Sequence, residues 1–196
     1  MEMLLLQSED SEDIVKKTAA VIRAGGVVIA PTDTVYGMLA DATNEAAIKK
    51  LFAIKNRPVG KSLPIFIESI EAAKNWAMVS AEQETYLKNN WPGKVTTILK
   101  RKNDTKIFGV EAETIALRIP NFSFINSLLK LVQLPLAGTS ANLSGQPAST
   151  KINEIFEQFR SEQILADLVI NAGDLEISQP STIIDLTQPE YKIIRA

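Results

Sequence analysis

Lys55, Arg57 and Lys61 stand within seven residues, interrupted by Pro58 and Gly60 and accompanied by no acid. Proline and glycine keep this stretch out of a helix, so its cations are expected to project from a loop. Three such charges repel one another unless an anion sits among them, and a triphosphate is a natural occupant. A second polar segment, Ala137-Gly138-Thr139-Ser140-Ala141-Asn142-Leu143-Ser144-Gly145, follows the apolar Leu134–Leu136 directly. It can aim backbone N–H groups, hydroxyls and an amide at an oxyanion. It has neither the Gly-Lys-Ser/Thr of a Walker A loop nor the GxGxxG of a dinucleotide fold. Arg118 ends the alternating run Thr114–Arg118, where a cation among apolar neighbours must hold a carboxylate from the protein or from a ligand. The segment Pro31-Thr32-Asp33-Thr34-Val35-Tyr36-Gly37 adds hydroxyls at i and i+2 beside an aromatic ring, suited to a small polar ligand. Ser181 and Arg195 add a hydroxyl and a cation further along the chain.

The 196 residues include no His and no Cys. Imidazole or thiolate zinc sites, Ser-His-Asp and Cys-His nucleophiles, disulfides and CxxC redox chemistry are therefore excluded. Catalysis must rely on hydroxyls, amides, carboxylates, Lys, Arg or a metal ion carried in with a substrate.

The net charge of −2 conceals a segregation. The acid-free windows between Glu45 and Glu68 and between Glu84 and Asp104 hold 10 of the 21 basic residues, which leaves 11 bases against 23 acids elsewhere. Such an arrangement predicts a positive concavity for an anionic ligand on an acidic body, not a uniformly basic surface for tracking nucleic acid. On helices, however, Lys49, Lys50 and Lys88 read as solvated faces.

The elements that must position these groups alternate between two periods. Strands are predicted at Met3–Leu6, Val27–Ala30, Leu63–Ile67, Val95–Leu99, Ile115–Ile119, Leu134–Ala137, Leu168–Asn171, Thr182–Leu186 and Tyr191–Ile194. Helices are predicted at Glu12–Ala24, from the Asn44 cap through Ile54, and at Ile70–Trp76, Ala81–Asn90, Phe122–Val132 and Ile152–Phe159. Thr32–Asp41 reads as a polar loop. The pattern predicts an α/β fold on a mixed sheet within one domain spanning 1–196, its polar segments just past strand ends, where open α/β sheets bind ligands. The N-terminal stretch has no basic region and only three consecutive leucines, so neither a signal peptide nor a membrane span is expected, and the expected location is cytoplasmic.

Taken in order, PTDTVYG at 31–37, KNRP at 55–58, LRIP at 117–120, TSANLSG at 139–145, PSTIID at 180–185 and IIRA at 193–196 resemble the YrdC/TsaC family of L-threonylcarbamoyladenylate synthases. The resemblance implies a YrdC-like fold, a single-domain twisted mixed β-sheet with flanking helices and a positively charged concave groove. It implies condensation of L-threonine, bicarbonate or CO2 and ATP into threonylcarbamoyl-AMP, with release of pyrophosphate. A separate threonylcarbamoyl transferase complex would use that product to modify the tRNA adenosine next to the anticodon. By the same resemblance Thr34, Arg118 and Ser181 would hold threonine. Lys55, Arg57, Lys61, Thr114, Ser140, Asn142, Ser149 and Arg195 would line ATP, with Lys55 and Arg57 acting in catalysis. Mg²⁺ would arrive with ATP, with no ligand from the protein.

Family members often carry a His where this chain has Phe66, which would remove a polar contact near the threonine pocket. This departure keeps open a YciO-like paralogue that binds nucleotide or RNA with another substrate. The basic window from Lys94 to Lys102 raises a further expectation of weak RNA binding.

Overall fold

The computed structural model describes residues 2–6, 11–58 and 62–196. Its strands are β1 (Glu2–Leu5), β2 (Val28–Ala30), β3 (Gly37–Asp41), β4 (Ile65–Phe66), β5 (Ala77–Met78), β6 (Val95–Arg101), β7 (Thr114–Arg118), β8 (Leu136–Ser140), β9 (Leu168–Asn171), β10 (Thr182–Asp185) and β11 (Lys192–Arg195). The helices are α1 (Glu12–Arg23), α2 (Glu45–Ile54), α3 (Ile70–Trp76), α4 (Ala81–Asn90), α5 (Ser123–Val132) and α6 (Ile152–Phe159). The strands form one mixed sheet in the order β1-β9-β2-β3-β8-β4-β7-β6-β10-β11, with β5 beside β6.

Period-2 alternation assigns each strand's side chains to one of two apolar layers. Val28, Ala30, Leu39, Phe66, Leu136, Leu168 and Ile170 face a layer that holds the apolar faces of α1 and α5. Ile29, Met38, Ala40, Ile65, Ala137 and Val169 face the opposite layer, which holds Ile48, Leu51 and Phe52 of α2 and Ile152, Ile155 and Phe159 of α6. Burying each such large side chain stabilises the fold by roughly 1.5–3 kcal/mol before conformational entropy is charged. Local signals fix the helix starts. Asn44 Oδ1 accepts from the N–H of Ala46 and Ala47, and Ser80 and Gln83 form a reciprocal capping box. No helix among the described residues is long and apolar enough to cross a membrane.

Three departures from the sequence reading matter for the site. The second half of the expected Thr32–Asp41 loop is β3, buried at every position, so it shows no alternation. β8 is shifted from Leu134–Ala137 to Leu136–Ser140, which makes Ser140 a strand-end residue. β5 has no counterpart in the sequence reading; its two residues pair with the extension of β6 to Arg101.

Candidate active site

β2 ends at Ala30, and the chain turns through Pro31–Tyr36 before reversing into β3. Thr32 organises the turn. Its hydroxyl donates to Val35 O (2.7 Å) and accepts from Thr34 N–H (3.1 Å). The 3.0 Å contact between the two threonine oxygens must therefore use the Thr34 proton, and Thr34 is left with lone pairs as its free hydrogen-bonding capacity.

Thr34 opens onto a cavity of about 210 Å³ lined also by Arg57, Phe66, Arg118, Ser140, Ser181 and Arg195. Six of the expected site residues are thus brought together from segments far apart in sequence. A second cavity, of about 530 Å³, shares Thr32 and Thr34 as a wall and is bordered by Asp33, Lys94, Phe122 and Ile177.

Arg118, at the end of β7, is 3% exposed. Its Nη2 donates to Asp33 Oδ1 (2.6 Å) and its Nε to Gly93 O (2.9 Å). Asp33 Oδ2 in turn accepts from Asn121 N–H (2.9 Å). Burial holds the Arg118 pKa below its ordinary value, and the Asp33 carboxylate offsets only part of that. An arginine starts so far above neutrality that it stays a cation. The guanidinium lies 5.7 Å over the Phe66 ring, which supports it from below. The tip of the Phe66 ring sits against Gly138: a Cβ at that position would meet its Cζ and Cε atoms at 2.8–3.0 Å, so any larger residue must displace the ring. Arg195 Nη2 (2.7 Å) and Nε (3.2 Å) donate to Ser181 O, and the Ser181 hydroxyl contacts that of Thr96 at 2.9 Å.

Several expected residues lie elsewhere. Lys55 caps the C-terminus of α2 and is 3% exposed, so it does not project from an open loop. It is not among the residues lining the cavity, and its Nζ donates to Ser140 O, Asn142 O and Asn142 Oδ1. Asn142 is also behind the wall, with its Nδ2 donating to Leu143 O and Gln146 O. The amides of the 139–145 segment are not the free nest that composition suggested. Ala141, Asn142, Leu143 and Ser144 donate to Tyr36 O, Ser140 O, Gln158 Oε1 and Lys55 O. Side chains are therefore left to meet an anion here. Thr114 is four residues from Arg118 on β7, about 13 Å along the strand, and lies outside the cavity lining. Ser149 faces α6 and donates to Glu154 Oε2 at 2.6 Å. Lys61 falls outside the described residues.

The charge windows are likewise redistributed. Lys49, Lys50 and Lys88 pair with Glu45, Asp167 and Glu84. Of the described cations in those windows, Arg57 and Lys94 border the two cavities; Arg118 and Arg195 come from outside the windows. Sequence reasoning also missed Asp33, Thr96 and Gly138. An arginine needing a carboxylate was legible, but the partner 85 positions away was not.

Three arginines facing one cavity, with no carboxylate among its described lining residues, can neutralise a multiply charged anion, and the hydroxyls of Thr34, Ser140 and Ser181 can orient a small polar molecule beside it. Among the described residues no group of three or more acids could hold a metal ion.

Residues 20–196 match the Sua5/yciO/yrdC family, described as Telomere recombination. Threonylcarbamoyl-AMP synthase of Pyrococcus abyssi is 34% identical over 176 residues, covering 89% of this chain and 51% of its own length. The chain thus spans about half the length of that relative. The Psychromonas ingrahamii protein of the same name is 32% identical over 185 residues, covering 92% of this chain and 94% of its own. The crystal structure of P. abyssi Sua5 complexed with L-threonine superposes with a TM-score of 0.90 at 32% identity, covering 100% of this chain and 57% of that one. The family match over residues 20–196 and the shared fold agree: the chain belongs to the Sua5/YciO/YrdC family.

Proposed function

We propose that the chain, folded as one YrdC-like domain in the cytoplasm, condenses L-threonine, CO2 or bicarbonate and ATP into threonylcarbamoyl-AMP and pyrophosphate, for transfer to tRNA by a separate threonylcarbamoyl transferase. The observation that carries this reading is the convergence of Arg57, Arg118 and Arg195 with Thr34, Ser140 and Ser181 on one cavity. Relatives named threonylcarbamoyl-AMP synthase from archaea, bacteria and mammals support it over the YciO-like alternative.

Arg118 receives the threonine carboxylate on the edge not committed to Asp33 and Gly93, while Thr34 and Ser181 meet the amino acid's polar groups. The deprotonated amine of threonine adds to the carbon of CO2, forming a carbamate and releasing a proton. A carbamate oxygen then attacks the α-phosphorus in line, and the bond to the bridging oxygen of pyrophosphate breaks. The step needs charge neutralisation and alignment, not a protein nucleophile, so a chain without His or Cys can perform it. Arg57 and Arg195 supply the neutralising charge. Mg²⁺ would come as part of MgATP; none of the described residues lining the cavity is a carboxylate that could hold it separately. Incubation with ATP, Mg²⁺, bicarbonate and amino acids tests the reading. Pyrophosphate release should depend on L-threonine, and its absence would reject the assignment.

A further inference from the structure

We infer that Lys55 is a positioning residue, a pin that holds the Ser140 wall of the cavity in place before any anion arrives, and that phosphate contact is left to Arg57. The word phosphate rests on the function proposed above; the pin does not.

A lysine ammonium has three N–H donors and no acceptor. Lys55 Nζ has three oxygens in reach, Ser140 O at 2.6 Å, Asn142 O at 2.9 Å and Asn142 Oδ1 at 2.8 Å. With each donor satisfied inside the protein and the side chain buried, none is left for a ligand. The backbone of the same residue holds the same segment, since Lys55 O accepts from Ser144 N–H at 2.8 Å. The Ser140 hydroxyl reaches Asn142 Oδ1 at 2.5 Å, so one amide oxygen ties the ammonium to a hydroxyl on the cavity wall.

The neighbouring arginine is placed the opposite way. α2 ends at Ile54, and Asn56 adopts a left-handed φ of +48°, a conformation that asparagine tolerates better than most residues. The reversal sends Lys55 behind the wall and Arg57 into the cavity. Arg57 Nη2 donates to Ser62 O, whereas its Nε is buried and has no partner among the described residues. A lysine and an arginine two positions apart thus divide the work: one fixes the wall, the other offers charge through it. Fixing polar groups in advance of binding is how a site avoids reorganisation during reaction.

Burial and the adjacent Arg57 also push the Lys55 pKa down to about 7, so the three-donor ammonium is the form below neutrality and the amine above it keeps two N–H donors for the same oxygens. Arg57 is its charged neighbour; from the 140–144 segment it faces the uncharged Ser140 and Asn142.

Amide hydrogen exchange on the ligand-free protein tests the pin independently of any activity. In Lys55→Met, which keeps the side chain's length and removes its donors, exchange at residues 141–144 should accelerate at least tenfold, with β3 and β9 unchanged. Arg57→Ala should leave 141–144 as in the wild type but weaken inorganic pyrophosphate binding at least tenfold by titration calorimetry. Unchanged exchange in Lys55→Met, or equal acceleration in both variants, overturns the inference. If Lys55→Met does not fold, the wild type carries the test: pyrophosphate should leave protection at 141–144 unaltered, and a tenfold gain on binding would show that the anion, not Lys55, orders the wall. In turnover, Lys55→Met should raise KM for ATP while KM for threonine stays fixed, a split that general loss of structure would not produce. If the exchange results hold and no threonine-dependent turnover is found, the pin survives and the proposed reaction falls.

Discussion

Arg118 and Asp33 form a buried ion pair, Nη2 to Oδ1 at 2.6 Å, with side chains 3% and 6% exposed. The pair joins β7 to the turn after β2, and it ties the cavity-lining Arg118 to the residue beside Thr34. Such a pair adds little net stability compared with apolar replacements, but breaking it leaves an uncompensated charge.

Arg118→Ala should therefore cost about 3–5 kcal/mol of stability, besides its effect on threonine. Urea denaturation checks this, and combining it with Asp33→Ala should recover much of the loss. A variant as stable as the wild type would show that Asp33 is hydrated without its partner. Because Arg118→Ala confounds folding with binding, a rise in threonine KM should be sought in Arg118→Lys, which keeps the charge and loses the fork geometry.

Gly138→Ala should lower stability by about 1–3 kcal/mol, the usual cost of overpacking. The new Cβ would press on the Phe66 ring at 2.8 Å, and the ring supports Arg118. Threonine KM should rise with it. The double variant Gly138→Ala/Phe66→Leu should regain stability, a coupling that thermal denaturation of all four proteins measures.

Arg57→Ala should leave thermal stability nearly unchanged, since the residue is only half-buried and gives up one bond to Ser62 O. Its loss should reduce kcat/KM for ATP by about 10- to 150-fold, corresponding to roughly 1.5–3 kcal/mol for a hydrogen bond to a charged group. Steady-state kinetics at saturating threonine decides it.

Lys55 makes stability depend on pH in a particular direction. Its pKa is 10.5 in the unfolded chain and is pushed down to about 7 in the fold. Between those values the unfolded chain binds more protons, so this residue's contribution to stability rises with pH across the window and is flat below it. Urea midpoints at pH 6.5 and pH 9 should show the wild type gaining on Lys55→Met as pH rises. A gain in the opposite direction would mean that its three acceptors outweigh burial and hold the lysine charged throughout.

Local signals carried well into three dimensions. The Asn44 cap, the strand runs and the six helical spans are short-range patterns, and they matched the observed elements within a few residues. β3 was lost because burial on both faces erases alternation, and β5 because its two residues are defined by their partner strand. In the site, residue type indicated chemistry and tertiary contact decided direction. Thr34, Arg57, Arg118, Ser140, Ser181 and Arg195 reach the cavity, whereas Lys55 and Asn142 turn behind it and Ser149 turns toward Glu154. Nothing in the spacing of Lys55 and Arg57 distinguishes them; the left-handed Asn56 does.

The most direct test of the central claim is incubation with MgATP, L-threonine and ¹³C-bicarbonate, followed by mass spectrometry of the nucleotide products. The proposed chemistry predicts an AMP adduct that contains threonine and one ¹³C atom, formed in step with pyrophosphate. An adduct of threonine and AMP without the labelled carbon, or pyrophosphate release indifferent to threonine, would contradict it.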